Sequence, residues 1–112
     1  MMNKNTTTNY INISAEEAKE YMDNNSGFII LDVRSQEEYN EGHIPNAINI
    51  PDYEIEERAN SEPKDKNQVI LVYCRSGYRS ELSAKKLSQM GYTKIYNFGG
   101  IIDWPYDIES FQ

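Results

Sequence analysis

Residues 69–80 read Val69-Ile70-Leu71-Val72-Tyr73-Cys74-Arg75-Ser76-Gly77-Tyr78-Arg79-Ser80, and the architecture follows outward from them. Five apolar residues in a row, three of them β-branched, make the continuous run that a strand buried on both faces requires. The run gives way at 74–79 to a short loop holding a thiol, a glycine and two arginines. Residues 80–90 then read as a helix, with Ala84, Leu87 and Met90 turned inward and Gly91 marking its end. A buried strand leading straight into a helix is half of a βαβ unit. In open parallel sheets the ligand crevice lies at the carboxyl ends of the strands. Cys74, immediately after the strand, is expected at that crevice.

Upstream, the same alternation repeats. Residues 10–13 form a short strand candidate. Ser14 with Glu17 is a capping box that predicts a helix carrying Ala15, Ala18 and Met22 on one face. After the turn cluster 24–27, residues 28–33 are a second buried strand. Ser35 with Glu38 repeats the capping box and predicts a helix to about Glu41, with Gly42 ending it in a left-handed conformation. Residues 47–50 are a third short strand that Pro51 stops. Residues 52–61 are acidic and helical in part, and 62–68 form a surface loop around Pro63. Downstream, 94–98 is the last strand in sequence, before Gly99-Gly100 and a final turn with Trp104. Five strands alternating with helices predict an α/β fold, an open parallel sheet with helices on both faces and the cysteine loop at the end of the fourth strand in sequence.

With 112 residues the chain makes one domain, expected over 10–112 behind a polar, frayed tail at 1–9. Hydrophobic residues make up 38% and charged residues 26%, enough for one compact core. Eleven cationic side chains against eighteen acidic ones give a net charge of −7, the wrong sign for nucleic acid or an anionic membrane as partner. The longest apolar runs fall far short of the roughly 20 residues that span a bilayer. The polar first residues carry no secretory pattern, so the expected address is cytoplasmic. A single cysteine makes no internal disulfide and no cysteine-rich zinc site, and no acidic or histidine cluster completes a metal site. No metal or organic cofactor is expected.

The loop 74–80 has the parts of an anion site. Consecutive N–H groups in a tight strand-to-helix turn converge into a nest, and Gly77 supplies the backbone freedom to curl it. The following helix adds its positive N-terminal end. With Arg75 and Arg79 turned inward, such a setting favours thiolate over thiol and makes Cys74 a nucleophile in a solvent-facing loop. Arg79, at the helix start, is the better candidate anion ligand. The alternatives are that Cys74 is a small buried hydrophobe at a strand end and the arginines are solvated surface charges.

The sequence resembles single-domain members of the rhodanese family over nearly its whole length. The matching stretches are Leu31-Asp32-Val33-Arg34 with Glu38-Tyr39 and Gly42-His43-Ile44-Pro45, then Ala47-Ile48-Asn49-Ile50-Pro51, then Val72-Tyr73-Cys74-Arg75-Ser76-Gly77 with Arg79-Ser80, and last Gly99-Gly100 with Trp104. Asn46 stands where the family more often has glycine, a tolerable change because asparagine visits left-handed conformations.

The resemblance implies a sulfurtransferase that moves a sulfane sulfur from a donor such as thiosulfate to cyanide or a thiol through a Cys74 persulfide. It implies an active-site loop of six residues from Cys74 to Arg79 whose amides cradle the persulfide. Arg75, Ser76, Gly77, Tyr78, Arg79 and Ser80 are thus the loop and anion-binding candidates. Related phosphatases and arsenate reductases carry arginine six positions after the cysteine; here that residue is Ser80, which disfavours phosphoryl transfer. Asp32 and Arg34 are expected to line or brace the crevice, with an Arg34–Glu38 pair as one means. His43 is read as ordering its turn, not as a catalytic base, and Trp104 as a core anchor packed under the loop. The alternative function is a sulfur-relay or redox module serving a protein such as a thioredoxin-like partner. An inactive regulatory domain ranks last, because the cysteine is retained.

Overall fold

The computed structural model describes residues 9–59 and 65–110. The tail expected at 1–9 lies outside the described residues except for Asn9, whose N–H donates to Ser88 Oγ at 2.7 Å. Residues 62–64 of the expected surface loop, with Ser61, also lie outside.

Five strands, β1 (Tyr10–Asn12), β2 (Ile29–Asp32), β3 (Ile48–Asn49), β4 (Val69–Cys74) and β5 (Lys94–Gly100), form one sheet in the order β1-β5-β4-β2-β3. Every pairing is parallel. The apolar runs at 28–33 and 69–73 thus become β2 and β4, two of the three interior strands, which their lack of a polar face requires. Among the described residues, four α-helices cover the sheet: α1 (Ala15–Asn24), α2 (Gln36–Glu41), α3 (Ile55–Arg58) and α4 (Tyr78–Gln89). Alternation along the strands divides the core in two. Leu31, Val33, Ile70, Val72, Cys74 and Ile95 pack on one face with Ile55, Ala59, Ala84 and Leu87 from the α3–α4 side. Ile30, Leu71, Tyr73 and Phe98 pack on the other with Ala18, Ile44, Ala47 and Trp104.

Both capping boxes are present, with Ser14 and Ser35 each accepting from the glutamate three residues on and each glutamate accepting in return. Three local expectations change. Gly42 closes α2 in an extended conformation, φ 172°, so left-handed freedom is not its use; a Cβ there would press on Ile108 Cγ2 at 3.3 Å. The helix expected at 80–90 begins at Tyr78, because Gly77, with φ 109°, turns the chain directly into it. The loop is therefore only Arg75, Ser76 and Gly77, with Tyr78 and Arg79 already in the first helical turn. β5 runs two residues further than expected, to Gly100, across a register shift in which Val72 pairs with Asn97 and Cys74 with Gly100. The extra residue on β5 is a bulge, and Gly99 there has φ 90°. Asn46, with φ 73°, does take the left-handed conformation.

Candidate active site

Cys74 ends the middle strand of the sheet with its sulfur at the point where the chain turns into α4. It is 1% exposed, so the expectation of a solvent-facing thiol is corrected: the side chain belongs to the core face that α4 covers. The three-residue turn folds back over it, and the Gly77 N–H donates to Sγ at 3.0 Å. An amide aimed at sulfur beside the N-terminus of a twelve-residue helix is a setting that stabilises negative charge.

The turn rests on β5. A Cβ on Gly100 would lie 2.1 Å from the Arg75 carbonyl oxygen and 2.5 Å from Ser76 Cα, so the peptide after Arg75 occupies the space a side chain would fill. The Arg75 carbonyl accepts from Ile102 N–H at 3.2 Å. Ser80, fully buried, points its hydroxyl at the carbonyls of Gly77 (3.1 Å) and Gly99 (3.4 Å), tying turn to strand and leaving that hydroxyl turned away from any incoming anion. Arg75, Ser76 and Tyr78 are exposed around the sulfur.

Arg79 is engaged. Its guanidinium forms two parallel hydrogen bonds to the Glu38 carboxylate, Nη1 to Oε1 at 2.8 Å and Nη2 to Oε2 at 3.0 Å. Hydrogen bonding to Arg79 holds the Glu38 carboxyl down to about 2, against the opposing effect of burial, and the same bonds raise the Arg79 guanidinium above its ordinary value. Such fork-to-fork geometry fixes orientation as well as charge. The pair clamps the first turn of α4 to α2, and Glu38 also accepts from the Ser35 N–H. The expected Arg34–Glu38 pair is therefore corrected. Arg34 turns instead to Asp32, Nε to Oδ1 at 3.0 Å and Nη2 to Oδ2 at 2.7 Å, and donates to the Gly42 carbonyl at 2.6 Å.

Asp32 and Arg34 brace the site from the opposite face of the sheet. Asp32 is fully buried and also accepts from Tyr73 OH at 2.6 Å; that hydroxyl in turn accepts from Ile44 N–H at 3.0 Å. Burial and the Asp32 carboxylate push the Tyr73 phenol well above its ordinary range. Burial, the largest single effect, opposes the charge of Arg34, but hydrogen bonding to Asp32 together with the nearby charges of Asp32, Tyr73 and Glu38 outweighs it and raises its pKa. Because Tyr73 and Cys74 are consecutive on β4, their side chains leave opposite faces. The network locks the backbone on which Cys74 stands without touching its sulfur. His43 is buried with its ring stacked on Tyr39, Nδ1 2.8 Å from the Tyr39 carbonyl and Nε2 3.3 Å from a Glu109 carboxylate oxygen. Trp104 packs against Phe98 and Tyr106 in the second core cluster, so it anchors the face opposite the sulfur and does not underlie the loop.

The family model described as Rhodanese-like domain matches residues 14–105. The chain belongs to the rhodanese-like family. Among its relatives, the thiosulfate sulfurtransferase PspE of Escherichia coli is 44% identical over 73 residues, covering 65% of this chain and 70% of the relative. The putative sulfur carrier protein YrkF of Bacillus subtilis is 41% identical over 93 residues, 82% of this chain; the match spans about half (49%) of that longer protein. Among solved structures, a rhodanese with anions from E. coli superposes with a TM-score of 0.66 at 40% identity, covering 73% of this chain and 96% of that one. A rhodanese-like domain protein from Staphylococcus aureus gives 0.80 at 30% identity, covering 91% and 99%.

Sequence reasoning missed the part that two residues play at this rhodanese-like site. Glu38 was read as a capping residue, as part of the family match and as a partner for Arg34, not as the partner of Arg79. Gly100 was read only as part of the family match. The signal available for it was a glycine pair directly after a strand, which marks a close approach of backbones.

Proposed function

We propose that this rhodanese-like domain is a sulfurtransferase in which Cys74 carries a sulfane sulfur as a persulfide. The observation that carries the reading is the Gly77 N–H aimed at Cys74 Sγ from a three-residue turn at the start of α4. With thiosulfate as donor, the Cys74 thiolate attacks the outer sulfur, the sulfur–sulfur bond of the donor breaks, and sulfite leaves with its electron pair. The terminal sulfur of the persulfide then lies in the curl made by Arg75, Ser76 and Gly77, where amides and the helix end meet its negative charge. A thiophilic acceptor, cyanide or a thiol, attacks that outer sulfur and the Cys74 thiolate is released. No proton has to be removed from the acceptor by the protein if it arrives as an anion, so His43, held by Tyr39 and Glu109, stays outside the reaction.

Arg75, exposed at the mouth of the turn, attracts the anionic donor. Arg79 acts through Glu38: the pair fixes the first turn of α4 and with it the Gly77 amide. Ser80 ties that turn to Gly99, and Asp32 with Arg34 fixes the end of β4. Tyr78 and Ser76 form the rim. The domain is taken as residues 10–112. The thiol has to be kept reduced between turnovers, and the cytoplasm is the proposed compartment.

The test is thiocyanate formation from thiosulfate and cyanide by the purified chain. Turnover that disappears in Cys74→Ser is the expected result; turnover retained in that variant removes Cys74 from the mechanism.

A further inference from the structure

The face of the sheet opposite Cys74 carries a cavity that sulfur transfer does not use. It holds ≈ 270 Å³ and opens between the second half of α1, the residues leading into β2, the turn at 44–46 and the segment 104–107. None of its lining residues belongs to the 74–80 segment. Phe28, Ile44 and Trp104 wall it with apolar surface, and Tyr106 stands beside Trp104 with ring centroids 4.9 Å apart. A space of this size between aromatic rings takes one ring or a short hydrocarbon chain.

The polar groups at the mouth set the charge of what can enter. Asp107 is held there by its backbone, whose carbonyl accepts from Trp104 Nε1 at 3.2 Å. Its carboxylate is exposed and, among the described residues, has no hydrogen-bond or ion-pair partner. Asn46 also lines the mouth, from a left-handed backbone with φ 73°, a conformation that few non-glycine residues take and that concentrates at functional sites. The cation of the lining, Lys19, is already neutralised: its Nζ lies 2.7 and 2.9 Å from the two carboxylate oxygens of Asp23 and 5.5 Å from the centre of the Tyr106 ring. An adjoining groove shares Lys19, Asp23 and Tyr106 with the cavity and adds Glu16, Glu17 and Glu20. Five carboxylates therefore stand around the opening against one ammonium, a field that draws cations and repels anions. Acids alone would be a solvated surface, and apolar walls alone would not select by charge. Their coincidence selects a molecule with an apolar body and a positive end.

We propose that this cavity binds a small organic cation, a primary amine on an arylalkyl or short alkyl body. The body lies between Phe28, Ile44 and Trp104. The ammonium stays at the mouth, where the Asp107 carboxylate and the Asn46 side-chain carbonyl accept its hydrogen bonds. Cys74 packs on the other side of the sheet, so this binding stands apart from the sulfur chemistry.

The chain has one tryptophan, Trp104, and it lines the cavity, so its fluorescence reports occupancy. The test titrates the purified chain at low salt with 2-phenylethylamine, with 2-phenylethanol as the neutral counterpart and with 3-phenylpropionate as the anionic one. Trp104 emission is read together with bound ligand by equilibrium dialysis. The amine is expected to saturate with a Kd on the order of 1 mM, as suits a ligand of so few atoms. It should bind about 5-fold more tightly than the alcohol, the gain of one exposed ion pair, and the carboxylate should not saturate. Asp107→Asn keeps the backbone carbonyl that holds Trp104 and removes only the charge; in that variant the amine and the alcohol are expected to bind within about twofold of each other. No bound amine in dialysis, equal affinities for amine and alcohol in the parent, a carboxylate that binds as well as the amine, or an amine preference that survives Asp107→Asn overturns the proposal.

Discussion

Replacing Gly100 by alanine adds one methyl group on a strand that does not contain the reactive cysteine, and it is expected to abolish most of the activity. The new Cβ would sit 2.1 Å from the Arg75 carbonyl oxygen, 2.5 Å from Ser76 Cα and 2.6 Å from the Arg75 carbonyl carbon. All three are backbone atoms, so no rotamer change relieves the overlap. To reach the 3.4 Å of ordinary contact the peptide has to lift by about 1.3 Å, and displacements of about 1 Å at a reacting group cost on the order of 10²-fold in rate. Lifting it also stretches the Ile102-to-Arg75 hydrogen bond and moves the turn that delivers the Gly77 amide to Sγ. Overpacking of this kind costs about 1–3 kcal/mol of stability, roughly 5–20 °C in melting temperature for a domain of this size.

The assay pairs thiosulfate–cyanide turnover with a thermal melt, and Gly91→Ala serves as the control. Gly91, unlike the extended Gly100, has a positive φ, 99°, and its Cβ would meet nothing within 4 Å. That variant is expected to lose about 1–2 kcal/mol through the strained backbone alone and to keep its turnover. Gly100→Ala with turnover within twofold of the parent would refute the claim that β5 sets the position of the loop.

Three further outcomes are expected. Cys74→Ser loses sulfur transfer entirely, while its stability falls by about 1 kcal/mol or less, because serine fills nearly the same space and can accept the Gly77 N–H; a urea melt checks the second part. Arg79→Ala is expected to lower stability by about 1–2 kcal/mol near neutral pH, since it strands a half-buried carboxylate. Glu38 is held below its ordinary value of 4.5, down to about 2, so the pair's contribution is complete above pH 4.5 and is lost as pH falls through 2. The stability gap between parent and variant should therefore close on acidification over that window, and a gap that does not change with pH would contradict the pairing. Tyr73→Phe leaves the Ile44 N–H without its acceptor and removes a donor from Asp32, for an expected loss of about 1–3 kcal/mol in chemical denaturation.

Much of this arrangement was legible before the structure, and the parts that were not share a physical cause. The interior strands β2 and β4 announced themselves as unbroken apolar runs. Ser14 and Ser35 marked two helix starts because capping boxes are local chemistry. The start of α4 was placed two residues late because Gly77 begins it by backbone geometry, with no capping side chain to read. The ion pairs were the hardest to see. Glu38 lies four residues from Arg34 but 41 from Arg79, and the longer pairing holds because Asp32 has already claimed Arg34 in the buried network. Gly100 belongs to the same class. The need for hydrogen at its Cα comes from a turn 25 positions earlier in the chain, brought over it by the β4–β5 register and its bulge.

The most direct measurement is the intact mass of the purified chain before and after thiosulfate, and again after cyanide. A gain of one sulfur atom that cyanide removes and that Cys74→Ser never acquires is the predicted result. A chain that gains no sulfur from thiosulfate while Cys74 remains free and alkylatable would contradict the proposal that this cysteine carries the transferred sulfur.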